Sequence, residues 1–100
     1  MTDNKLAFLS ELEQIVDSRL AQDDDRSYTA QLAAAGQSRV AQKVGEEAVE
    51  LALAAATEDA ASVRAEAADL LFHILVLLRV RGIALADVVT ELESRHAARS

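Results

Sequence analysis

The sequence predicts an all-α fold of four to five helices, an antiparallel helical bundle completed by dimerisation. Three observations predict it. Apolar residues recur every three or four positions along most of the chain, the period of a helix with one buried face, and nowhere alternate as they do in a half-buried strand. The hydrophobic content of 51% is mostly Ala, Leu and Val, with only 3% aromatic residues, a mixture that suits closely packed helices. No proline interrupts the pattern. A chain of 100 residues reads as one domain, 1–100. Alone it buries about 60–70% of its unfolded surface, so the apolar surplus is expected to be covered by a second copy.

Leu6, Leu9, Leu12, Val16 and Leu20 form the first stripe, widened by Phe8 and Ile15, and predict a helix from about residue 3 to 20. Gln22-Asp23-Asp24-Asp25-Arg26 reads as a solvated acidic connector. A hard-cation loop would need ligands at alternate positions and a turn glycine, and neither is present. Ser27-Tyr28-Thr29 opens a short helical turn, with Ser27 or Thr29 as its cap and Gly36 as a left-handed terminator.

A third helix is predicted from residue 37 or 38 to about 56. At about 100° per residue, Lys43, Glu46, Glu47 and Glu50 occupy one narrow stripe. Val40, Val44 and Leu51 flank it on one side, Val49 and Leu53 on the other. Ala41, Gly45, Ala48 and Ala52 form a back of small residues that would admit another helix closely. Thr57-Glu58-Asp59 is a polar break. The fourth helix follows, from about 58 or 60 to 81, apolar nearly all round from Leu70 to Leu78 and therefore central. Gly82 ends it. Ile83 to about Arg95 makes a last amphipathic helix, and the tail from His96 is expected to fray.

The net charge of −7 opposes general binding to nucleic acid or to a membrane surface, both polyanionic. A phosphate compound could be held only through a bridging cation. Without cysteine there is no disulfide framework and no thiolate site. The N-terminus lacks a basic leader with an apolar core, and the longest apolar run is about half the length of a membrane span. A cytoplasmic protein is the expectation.

The chemistry is expected between the third and fourth helices. A short turn makes them antiparallel neighbours. Glu50 lies about seven residues before that turn and Asp69 about ten after it, with Glu66 near the height of Glu50. Glu46-Glu47-x-x-Glu50 and Glu66-x-x-Asp69 should therefore face each other. Carboxylates converging this way cannot all stay ionised without a counter-charge. A hard divalent cation supplies it, and all-oxygen ligation favours Mg²⁺ or Mn²⁺ over Zn²⁺. His73 reads as a hydrogen-bonded core histidine. A di-iron bundle would need Glu-x-x-His on each of two helices, and Asp69-x-x-x-His73 has no second copy. Lys43 has two readings, an ion pair to Glu46 or Glu47 or a phosphate contact. The lone Tyr28 reads as packing or as the edge of a ligand site.

These residues resemble a known signature. Glu46-Glu47-x-x-Glu50, fifteen residues and then Glu66-x-x-Asp69 is similar to the acidic pattern of the all-α nucleoside triphosphate pyrophosphohydrolases, the MazG-like superfamily. Ser27-Tyr28-Thr29-x-x-Leu32-x-x-x-Gly36, Lys43-Val44-Gly45-Glu46-Glu47-Ala48-x-Glu50 and Glu66-Ala67-Ala68-Asp69-Leu70-Leu71-Phe72-His73 narrow the resemblance to the phosphoribosyl-ATP pyrophosphohydrolases of histidine biosynthesis. It covers nearly the whole chain and is weakest at its two ends. One departure is Phe72, where Tyr is often expected.

The resemblance implies Mg²⁺-dependent hydrolysis of phosphoribosyl-ATP to phosphoribosyl-AMP and pyrophosphate by a homodimer. It implies Glu47, Glu50, Glu66 and Asp69 as metal ligands and Glu46 as a neighbouring or water-activating carboxylate. Which of Glu46 and Glu47 activates water stays open, since adjacent residues point only about 100° apart. Lys43, Arg39 and Tyr28 are candidates for phosphate contact. The cyclohydrolase that follows in the pathway is sometimes fused ahead of this domain, and the free-standing form is expected here. Two rival readings remain: a house-cleaning (d)NTP pyrophosphohydrolase of the same superfamily, and a helical interaction module whose acids only solubilise it.

Overall fold

The computed structural model describes residues 4–22 and 27–99. It contains a 3-10 turn, Lys5–Ala7, and five helices: α1 (Phe8–Leu20), α2 (Tyr28–Ala34), α3 (Gln37–Thr57), α4 (Ala60–Val80) and α5 (Leu85–Arg99). No strand occurs among the described residues, and no helix among them is long and apolar enough to cross a membrane. The expected acidic connector at Asp23 to Arg26 lies outside the described residues.

Local chemistry explains the boundaries. The first helix begins later than its apolar stripe suggests. The Asn4 side chain accepts a bond from the Leu6 amide at 3.1 Å, and the chain enters through a tighter 3-10 turn. Ser27, not Thr29, caps α2, its hydroxyl accepting from the Ala30 amide at 3.0 Å. Gly36 has φ 109° and ψ 157°, a positive-φ conformation that favours glycine. It lets α2 stop and α3 start within two residues, but it is extended in ψ rather than left-handed helical. Asp59 caps α4 by accepting from the Ser62 amide at 2.9 Å, and this bond holds its carboxyl below the usual carboxylate range. α5 continues as helix through the segment expected to fray, as far as Arg99.

α3 and α4 form a tight antiparallel hairpin and carry the principal helix–helix contact of the molecule. α1 and α2 pack across it and against each other. Val16, Leu32, Val40 and Val76 make the buried core, one from each of the first four helices. Leu75 is also buried, and Leu75→Ala is expected to cost about 2–5 kcal/mol. α4 is central as expected, touching α1, α2 and α3. Arg79 fastens α1 to its C-terminal end. Its guanidinium forks onto the Asp17 carboxylate at 2.8 and 3.2 Å and donates to the Ile83 carbonyl at 2.9 Å. Glu13 then accepts from the Leu85 amide at 2.7 Å, so α1 caps α5.

Apolar surface is left open on α3. Val49 and Leu53 on α3, which flank the acidic stripe on one side, are each 59% exposed. The small residues Ala41, Gly45, Ala48 and Ala52 also face outward, with nothing within 4 Å of a Cβ built on Gly45. Among the described residues, then, no helix packs on that back.

Candidate metal centre

The inward face of α3 is defined by Val40, Glu47 and Ala54, all buried and spaced by seven residues. That spacing returns a helix to nearly the same side. Glu47 thus sits at the middle of the α3–α4 seam, 7% exposed. Its neighbour Glu46, rotated by about 100°, is exposed. The hairpin turn brings Glu66 and Asp69 of α4 opposite Glu47. One ligand atom from each of Glu47, Glu66 and Asp69 lies within 4.8 Å of the others.

The carboxylates of buried Glu47 and half-buried Glu66 are incompletely satisfied. Oε2 of Glu47 and Oε2 of Glu66 are both buried and have no hydrogen-bond partner. A buried anionic oxygen without a partner is costly. Glu50, one turn beyond Glu47, completes the group electrostatically. Hydrogen bonding with Glu47, charge repulsion from Glu47, partial burial and the nearby Glu66 together push its carboxyl above the usual carboxylate range. Four carboxylates therefore share one seam with too little positive charge. Oxygen donors at this mutual distance, two of them lacking any partner, fit a hard divalent cation.

The other candidate residues ring this cluster. Lys43 Nζ lies 3.4 Å from both Glu46 Oε1 and Glu47 Oε1. Partial burial draws the Lys43 ammonium downward, but Tyr28, Glu47 and Glu46 outweigh it and leave its pKa raised. Glu46 is tied to its own helix. It accepts from Gln42 Nε2 at 3.0 Å and pairs with Lys43, with Arg39 Nη1 3.9 Å away. The Gln42 bond, then Lys43 and Arg39, hold its carboxyl below the usual range against some desolvation. Glu46 and Glu47, adjacent in sequence, thus sit in opposite environments. Gln42 escaped the sequence reading. Its one signal was its position four residues before Glu46, where a helix brings side chains together.

Tyr28, the first residue of α2, reaches across to α4, where its hydroxyl lies 2.8 Å from His73 Nε2. His73 is buried, as expected of a core histidine, and its Nδ1 lies 2.7 Å from the Asp69 carbonyl oxygen. Tyr28 also stacks at a tilt on Phe72, ring centroids 6.2 Å apart. The Ser-Tyr-Thr segment and the Asp-Leu-Leu-Phe-His segment therefore meet at the edge of the cluster.

A family model described as phosphoribosyl-ATP pyrophosphohydrolase matches residues 9–96. The chain belongs to the phosphoribosyl-ATP pyrophosphohydrolase family. It is 54% identical over 87 residues to a phosphoribosyl-ATP pyrophosphatase of Agrobacterium fabrum, covering 87% of this chain and 81% of that one. A protein of the same description from Rhizobium rhizogenes is 51% identical over 89 residues, 89% of this chain and 86% of that one. The histidine biosynthesis bifunctional protein HisIE of Vibrio parahaemolyticus is 48% identical over 94 residues. The match covers 94% of this chain and 44% of that protein, so the chain spans less than half the length of such bifunctional relatives. Every candidate residue named above lies inside the segment matched by the phosphoribosyl-ATP pyrophosphohydrolase model.

Proposed function

We propose that this chain hydrolyses phosphoribosyl-ATP to phosphoribosyl-AMP and pyrophosphate, as a Mg²⁺-dependent step of histidine biosynthesis in the cytoplasm. The observation that carries the reading is the pair of buried, unpartnered carboxylate oxygens of Glu47 and Glu66, within one cluster with Asp69, in a chain of this family. Glu47, Glu50, Glu66 and Asp69 would hold Mg²⁺, or Mn²⁺ in its place. When bound, the metal offsets the negative charge that builds on the departing pyrophosphate.

The chain's own groups divide the remaining work. Glu46 stays ionised outside the cluster and is the carboxylate available to orient the attacking water and accept its proton. Glu47, turned inward, serves the metal. Lys43 and Arg39, which now neutralise Glu46, are positioned to exchange that carboxylate for substrate phosphate oxygens. The α3–α4 seam buries Glu47 and half-buries Glu66, while Glu50 and Asp69 stand at its solvent edge, where a substrate could reach the metal. The open faces of α3 and α4, with Val49, Leu53 and Leu71 exposed, support a homodimer.

The deciding experiment is a pyrophosphate-release assay on phosphoribosyl-ATP with and without Mg²⁺, run beside dCTP and dUTP. Metal-dependent release with phosphoribosyl-ATP preferred is expected. A preference for either plain nucleotide would assign the house-cleaning activity instead, and absence of any Mg²⁺ effect would leave a helical interaction module.

A further inference from the structure

His73 commits both ring nitrogens, and the direction of its bonds has a consequence for substrate recognition. Nδ1 faces the Asp69 carbonyl at 2.7 Å. A carbonyl oxygen only accepts, so Nδ1 carries the proton. In the neutral ring Nε2 is then a lone pair, and the Tyr28 hydroxyl at 2.8 Å donates its single proton to it. The imidazole cannot easily turn away. It is 6% exposed and meets the Phe72 and Tyr28 rings edge-on at 84° and 82°. The Tyr28 oxygen is left with lone pairs and no proton to offer.

That oxygen stands at the rim of the site. Tyr28 is 49% exposed, and through His73 it is tied to the backbone of Asp69, whose carboxylate belongs to the cluster. An ionised polyphosphate presents acceptors alone, so two acceptors would meet if it lay against Tyr28. A sugar hydroxyl or a base amino group presents the donor that Tyr28 lacks.

We propose that His73 is a positioning residue that fixes Tyr28 as a hydrogen-bond acceptor, and that Tyr28 binds a hydroxyl or amino donor of the nucleotide rather than its phosphates. This rests on the nucleotide-hydrolase reading above, and it changes the phosphate contact expected of Tyr28 into a contact with the nucleoside part.

The test is isothermal titration calorimetry of the full chain with Mg²⁺, using phosphoribosyl-AMP and, separately, inorganic pyrophosphate. Tyr28→Phe keeps the ring and removes the oxygen. It is expected to weaken phosphoribosyl-AMP about three- to ten-fold, the worth of one neutral hydrogen bond, and to leave pyrophosphate unchanged. His73→Gln keeps an acceptor near the place of Nε2 and should retain the preference. His73→Leu frees the tyrosine proton and should lose it. If circular dichroism finds His73→Leu unfolded, the Tyr28→Phe comparison decides alone. Equal losses for both ligands, a loss confined to pyrophosphate, or no change in Tyr28→Phe overturns the proposal. A wild-type chain that binds neither ligand overturns the nucleotide reading, and this inference with it. Repetition with AMP and inosine monophosphate separates the donors. A Tyr28→Phe loss seen only with AMP marks the amino group, and one seen with both marks a sugar hydroxyl.

Discussion

Glu47 of α3 and Glu66 of α4 each bury a carboxylate oxygen, Oε2, that has no hydrogen-bond partner. A bundle built only for stability would gain by replacing such a pair with apolar side chains. With Asp69 in the same cluster, the proposed function puts a cation against these two oxygens.

Glu66→Gln removes one of these charges while keeping the shape. The metal-free variant should melt at a higher temperature than the wild type, because a buried charge without a partner is gone. Added Mg²⁺ should then stabilise it far less than it stabilises the wild type. Turnover should drop at least about a hundred-fold, the upper range for losing an outer support of a metal ligand. Thermal melts with a Mg²⁺ titration check this, and an undiminished Mg²⁺ shift would remove Glu66 from the ligand set.

Glu50→Gln and Asp69→Asn should abolish turnover and leave the circular dichroism spectrum of the fold unchanged. Full activity in either variant refutes the assignment of that residue.

The carboxyl of Glu50 sets a pH dependence. Its pKa in the folded chain is raised, first by Glu47 and then by partial burial and Glu66. A raised folded pKa contributes stability that is fully present below the unfolded pKa and is lost as pH rises through the folded value. The metal-free protein should therefore lose this contribution as pH climbs out of the usual carboxylate range toward neutrality. Melting curves across that window should show a steeper loss in the wild type than in Glu50→Gln, and saturating Mg²⁺ should flatten the difference. Parallel curves for the two proteins would contradict the coupling.

Ser27→Ala deprives the Ala30 amide of its partner. A loss of about 1 kcal/mol is expected, or about 4–8 °C in a domain of this size. Because Tyr28 is the next residue, the same change should loosen the Tyr28–His73 bond. A melt within a degree of the wild type would show that α2 does not depend on this cap.

Val49 and Leu53 lie one turn apart on the open side of α3. Sedimentation equilibrium should find the wild type at least dimeric, and Val49→Lys with Leu53→Lys should shift it toward the monomer. A wild type that sediments as a monomer would leave this apolar face without a partner copy.

Much of this was legible in the sequence because it depends on neighbours along the chain. The 3.6-residue period, Ser27, Asp59 and the glycines at positions 36 and 82 are local signals, and they locate α2, α3 and α4 to within a residue or two. The facing of the two acidic clusters follows from a turn too short to do anything but fold α4 back along α3. The sequence by itself thus determined the helices and the existence of a carboxylate seam. Which side of α3 turns inward was not local. The difference between Glu46 and Glu47 is about 100° of rotation, settled by how Val40 and Ala54 seat against the core. Only the tertiary structure decided that Glu47 is buried and Glu46 is held outside by Gln42, Lys43 and Arg39. It alone joined Tyr28 to His73 across 45 residues and Arg79 to Asp17 across 62. Such bonds depend on packing that no spacing in the chain encodes, since loop closure sets the cost of bringing distant residues together but not which partners meet.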